Sequence, residues 1–141
     1  MHRNSEHYPD PTFSDAYFQI RRDEKIIKRG ERFIPWVYIA SPYRGNIEKN
    51  TDNARQYSLF AVQCGKLPFC PHIYFTQFLN DSIKTERRQG LTLALHMLKR
   101  CTEMWVFGEY ISSGMQREIR AARKWNIPIK DFDENCGVME L

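Results

Sequence analysis

The sequence predicts an α/β fold, a three-layer sandwich around a mostly parallel sheet, on three observations. Short apolar runs alternate with helix-length stretches whose apolar residues recur every three or four positions. Loops rich in serine, glycine and proline follow the apolar runs. Strands that alternate with helices make βαβ units, and their strands then run parallel with helices on both faces.

The elements follow in chain order. Residues 1 to about 15 are polar and broken by Pro9 and Pro11, the composition of a loose arm. From Asp15 to Arg29, Ala16, Phe18, Ile20, Ile26 and Ile27 punctuate a charged stretch able to form a helix, with Gly30 as its stop. We therefore divide the chain into a charged arm or helix, 1–32, and an α/β domain, 33–141. Phe33 to Ala40 is apolar, β-branched and aromatic, a first buried strand. A helix runs from Ile47 or Thr51 to Cys64 and ends at Gly65. Leu67 to Cys70 is a second strand, Ile73 to Leu79 a helical turn, and Asn80-Asp81-Ser82 breaks it. From Glu86 to Arg100, Leu91, Leu95, Met97 and Leu98 keep helical spacing, and basic residues close the last turn as the helix dipole favours. Met104 to Phe107 is the third strand. Ser113 caps a helix over Met115 to Trp125. Ile127-Pro128-Ile129 is the last short strand, and the tail from Asp131 is polar. This order is that of a small Rossmann-like or flavodoxin-like domain.

Composition narrows the function. Lys plus Arg exceed Asp plus Glu by 21 to 17, a mild excess spread along the chain apart from Arg21-Arg22 and Lys25 to Arg32. No interleaving of basic and aromatic residues recurs downstream, which argues against nucleic acid as a partner. Cys64, Cys70, Cys101 and Cys136 form no C-x-x-C pair and no metal spacing with histidine, so neither metal nor cofactor is expected. No apolar run reaches membrane-spanning length and the charged start lacks a signal-peptide core, so a cytoplasmic chain with no membrane partner is expected.

Three loops follow strand ends: Ser41 to Asn46, Pro71 to Asp81, and Gly108 to Glu118. In an open α/β sheet that edge is where ligands bind. Ser41, Arg44 and the Gly45 backbone could form a phosphate cup, since arginine offers a planar fork of donors. Amides at the last helix start also favour an anion, and Glu118 falls in the first or second turn beside them. His72 is explained as well by neutral packing as by ligand contact, and Asp81 as well by capping as by catalysis.

Four segments together carry a resemblance. Tyr38-Ile39-Ala40-Ser41-Pro42-Tyr43-Arg44-Gly45, Pro71-His72, Trp105-Val106-Phe107-Gly108 and Ser113-Gly114-Met115-x-x-Glu118-Ile119 resemble the nucleoside 2-deoxyribosyltransferase-like superfamily over about Val37 to Ile129. They look closest to its uncharacterised bacterial and phage branch, and are similar to the 2′-deoxynucleoside 5′-monophosphate N-hydrolases. Those enzymes grip phosphate with a Ser-x-Arg-Gly loop; here one more residue separates Ser41 from Arg44. The resemblance implies that Glu118 attacks C1′ of the sugar and expels the base. A carboxylate suits an oxocarbenium-like transition state. The resemblance further implies a glycosyl ester that passes to water or to a second base. An acid must also protonate the leaving base; the family motifs do not mark it, and Asp81 is the candidate, with His72 behind it. Substrate contacts would come from Tyr38, Ser41, Arg44, Gly45, His72, Ser112, Ser113, Gly114 and Met115. The transferases carry an aspartate six residues before the nucleophile, where this chain has Ser112. That departure disfavours exchange on free nucleosides and points to a 5′-phosphorylated substrate. Their acidic residue just before the third strand is displaced as well, with Thr102-Glu103 in its place. A homo-oligomer, dimer or higher, is also implied. The expected function is therefore cleavage of the N-glycosidic bond of a nucleotide or nucleotide-derived molecule, by hydrolysis or base transfer. The alternative is non-catalytic binding or sequestration of a nucleotide-derived signal.

Overall fold

The computed structural model describes residues 13–139, so the polar arm expected at the start lies largely outside the described residues. Contacts divide the chain into two units, one ending at Phe33 and one beginning at Ile34. The first contains helix α1, Phe13–Glu31, none of whose residues is buried. Asp15 in its first turn and Lys28 and Arg29 in its last suit the helix dipole. The helix runs one residue past Gly30 instead of stopping there, because Gly30 takes no left-handed conformation.

The second unit is built on four strands: β1 Trp36–Ala40, β2 Leu67–Phe69, β3 Glu103–Phe107 and β4 Ile129–Phe132. They form one sheet in the order β2-β1-β3-β4, and every pairing is parallel. The helices are α2 Ile47–Gln63, a short α3 Pro71–Tyr74 that continues as a 3-10 turn over Phe75–Gln77, α4 Lys84–Arg100, and α5 Ser113–Lys124.

Alternation along the strands produces the layers. Val37 and Ile39 point to one face, where they meet Ala54, Tyr57 and Ala61 of α2 together with Trp105, Phe107 and Phe132. Tyr38 and Ala40 point to the other, against Ala94 and Leu98 of α4 and Met115 and Ala122 of α5. The result is the α/β three-layer sandwich that the element order predicts. Rings dominate the α2 side: Tyr57 stacks on Phe107 at 4.1 Å, and Phe107 on Phe132 at 5.0 Å. All four cysteines are free. Cys70 and Cys101 are buried and Cys64 is exposed. Among the described residues no helix is long and apolar enough to cross a membrane.

The last strand corrects the sequence reading. It starts at Ile129, not Ile127, and takes in Asp131 and Phe132, which read as polar tail. Asn126 adopts φ +55, and the Ile127 amide bonds back to Ala122 O at 2.8 Å to close α5. Pairing with β3 therefore begins at Pro128, whose carbonyl accepts from the Met104 amide at 2.9 Å. The alternation then buries Phe132.

Candidate active site

Because the strands are parallel, the loops after β1, β2 and β3 leave one edge of the sheet. The first loop turns through Gly45 at φ +99, a conformation open to glycine at little steric cost. Asn50 of α2 fixes it by donating to the carbonyls of Tyr43 at 3.1 Å and Arg44 at 3.0 Å. Asn46 caps α2 by accepting from the Lys49 amide. After β2, Pro71 opens α3 in the position where its missing N–H costs nothing. After β3, Gly108 takes φ +89 and the chain runs to α5.

Ser112, not Ser113, caps α5. Its backbone is extended and its Oγ accepts from the Met115 amide at 3.2 Å, while Ser113 is the first residue of the helix itself. Ser112→Ala should therefore cost about 1 kcal/mol of stability, read by denaturant titration. The capped register turns Met115, Glu118 and Ala122 toward the sheet. Met115 and Ala122 are ordinary core. Glu118 is a carboxyl only 4% exposed.

Three buried polar atoms near this edge have no hydrogen-bond partner among the described residues: Tyr38 Oη, Ser41 Oγ and Glu118 Oε2. Burial pushes the Glu118 carboxyl up to about 8; the nearby Tyr38 hydroxyl and the Arg117 charge pull against it. Burial, then the proximity of Glu118, likewise raises Tyr38 well above its ordinary range. The two groups thus feel each other without a well-formed hydrogen bond between them. Tyr38→Phe removes one of the opposing influences, so a carboxyl NMR titration of Glu118 should move above its starting midpoint near 8.

Glu118 opens into a cleft whose cavity volume is about 60 Å³. One wall is aromatic: the Tyr43 ring stacks on His72 at 5.0 Å and 18°, with Phe75 beside them. Another wall is a single face of α4, formed by Glu86, Arg87, Gly90, Leu91 and Ala94. Burial lowers His72 from its ordinary value, against the pull of the Ser41 carbonyl and of Asp81, so the imidazole is neutral at pH 7. Asp81 reaches the cleft edge, where its Oδ2 lies 3.1 Å from Arg44 Nε. Among the described residues no cluster of three or more His, Cys, Asp or Glu side chains could share a metal ion.

The residues singled out from sequence are therefore distributed unevenly. Glu118, His72 and Asp81 line one cleft. Arg44 and Gly45 line an adjoining recess that shares Asp81 with it. Tyr38 is fully buried and interacts with Glu118. Ser41 faces a separate recess with Asn53, Tyr110 and Glu134, so the structure does not join Ser41 and Arg44 in one cup. Ser112 caps α5, Met115 is core, and Ser113 and Gly114 open the helix without lining the cleft. Sequence reading passed over Glu86 and Arg87, which sit in a run of charges that looks solvated. Their spacing to Gly90, Leu91 and Ala94, all on one helical face, was the available signal.

A buried carboxyl over an aromatic-walled cleft can stabilise positive charge developing on a ligand, because a low-polarity site strengthens the attraction. Among solved structures the chain is similar to a 2-deoxyribosyltransferase from the psychrotolerant bacterium Bacillus psychrosaccharolyticus, a biocatalyst for nucleoside synthesis. The TM-score is 0.60 and the identity 15%, over 74% of this chain and 77% of that one. At that identity the likeness is one of fold. No curated protein sequence matches the chain. A family model for a domain of unknown function, DUF7768, matches residues 35–132. That span runs from just before β1 to the end of β4 and includes the whole cleft, and the chain belongs to the DUF7768 family.

Proposed function

We propose that the domain cleaves the N-glycosidic bond of a nucleotide or nucleotide-derived molecule, with Glu118 as nucleophile. One observation carries the reading: a buried carboxyl without an ion pair among the described residues opens on a cleft walled by the Tyr43–His72 stack. A base can lie against such a wall. The likeness in fold to a 2-deoxyribosyltransferase supports the same chemistry. A Glu118 carboxylate oxygen attacks C1′, the C1′–N bond breaks, and its electron pair leaves with the base, which takes up a proton. Water, or a second base, then opens the glycosyl ester.

Asp81 is the proposed acid. It lies on the cleft wall, and once the exposed contact with Arg44 parts, its carboxyl can take a proton from water and hand it to the departing base. Neutral His72 has no proton to spare at pH 7 and serves the base as a stacking partner. Ser112, in place of the transferases' aspartate, supports a 5′-phosphorylated substrate. The reading extends to a homo-oligomer, whose contact could bury the apolar groove that Phe69, Ile73, Tyr74 and Leu93 line beside β2.

The test is a chromatographic screen. Wild type and Glu118→Ala are incubated with nucleosides, nucleoside monophosphates and other nucleotides, and free base is measured. Release by wild type alone supports the reading. Ligand bound and recovered intact, with no release from any compound, overturns it.

A further inference from the structure

We propose that Arg87 is the specificity residue of the cleft: it binds a phosphate on the substrate and so separates nucleoside monophosphates from nucleosides. The identity of the substrate rests on the glycosidic reading above, whereas the role of the arginine rests on its own surroundings.

Arg87 is half-buried on the α4 wall of the cleft that Glu118 closes. Its backbone amide bonds to Ile83 O at 2.8 Å, but its guanidinium has no ion pair or hydrogen bond among the described residues. It does not serve Glu118 either, since the cation whose field lowers that carboxyl is Arg117. Nor does helix stability explain it. Arg87 stands at the start of α4, where the helix dipole disfavours a cation and where Lys84 already adds one. A guanidinium in this position is a planar fork of five N–H donors, half shielded from water and lacking an acceptor. Phosphate matches that fork with two parallel hydrogen bonds.

The cation that sequence would choose for phosphate is less well placed. Arg44 lines the adjoining recess, not this cleft, and is 58% exposed. Ser41, its expected companion, faces another recess. Two carboxylates also reach the cleft. Asp81 is matched by Arg44, and Glu86 sits beside Arg87 on the same wall. An anion entering the cleft is thus attracted at Arg87, the only cation of its lining among the described residues, with Glu86 an opposing charge on the same wall.

The experiment compares wild type, Arg87→Met and Arg87→Lys on matched pairs, a 2′-deoxynucleoside and its 5′-monophosphate. Affinities are read by titration calorimetry in a Glu118→Gln background, so that no turnover interferes. In the parent the monophosphate binds more tightly than the nucleoside. Arg87→Met should lower that ratio by roughly 10- to 100-fold, the worth of charge-assisted hydrogen bonds. Arg87→Lys keeps the charge without the fork and should fall between. Inorganic phosphate as a competitor reports the anion alone, and melting temperatures confirm that the variants fold. An unchanged ratio in Arg87→Met overturns the proposal, as does a parent that fails to prefer the monophosphate. Failure of the glycosidic reading looks different: the ratio still responds to Arg87, yet wild type releases no base.

Discussion

Glu118→Ala should lower base release by roughly 10³-fold or more, because it deletes the atom that bonds to C1′ and leaves only unassisted attack by water. No neighbour replaces it. Asp81 is held by Arg44 at the cleft edge, and Glu86 belongs to the α4 wall. Glu118→Gln separates chemistry from folding, since it keeps the side-chain volume while removing the ionisation that burial opposes, and near pH 8 it should melt higher, not lower, than wild type. The pH profile adds a second signature. Attack requires the carboxylate, and burial raises Glu118 to about 8, so kcat/KM of wild type should climb with pH toward a midpoint near that value. Undiminished release by Glu118→Ala at any pH would retire the residue as nucleophile.

The second large effect is on stability. Glu118 moves from an ordinary 4.5 in the unfolded chain to about 8 in the fold. Between those values the folded carboxyl keeps a proton that the unfolded one has lost. The folded state then binds more protons, and stability falls as pH rises. Below 4.5 both states are protonated and the residue contributes nothing to the slope. By pH 8 the accumulated loss is about 4 kcal/mol. Glu118→Gln has no proton to release. Urea denaturation at intervals from pH 5 to 8 should show the variant gaining on wild type by about 3.5 kcal/mol, since part of the loss is already present at pH 5, with unchanged m-values. Parallel curves would mean that Glu118 ionises freely in the fold and that water reaches it.

Much of the fold was legible because its strands are short apolar runs with turn-forming residues after them. Val37 to Ala40 and Met104 to Phe107 are buried from both faces, and runs buried on both sides need no alternation to be recognised. β4 was misplaced for a local reason. The apolar Ile127-Pro128-Ile129 looks like a strand, but the first of these residues closes a helix and Phe132 does the burying. At the site, the helix that delivers Glu118 could be read from Ser-Gly-Met and its spacing, with the cap misplaced by one residue because either serine can accept a backbone amide. What sequence could not show was pairing across distance. Arg44 meets Asp81 37 residues away, and nothing local announces it. Nor could it show that two residues three apart, Ser41 and Arg44, end in different recesses. Arg87 was hidden among charges of the kind that usually face water.

The Arg44–Asp81 contact has a consequence for how fast a ligand arrives. Both partners are substantially solvent-exposed, and exposed pairs of this type contribute under about 1 kcal/mol. Parting them therefore slows entry by no more than about fivefold. At physiological ionic strength screening over about 8 Å weakens the attraction further. Thermal motion therefore parts the pair freely, and the contact screens what reaches the cleft edge very little. Discrimination must then come from residence: how long a visitor stays once inside, not whether it is admitted.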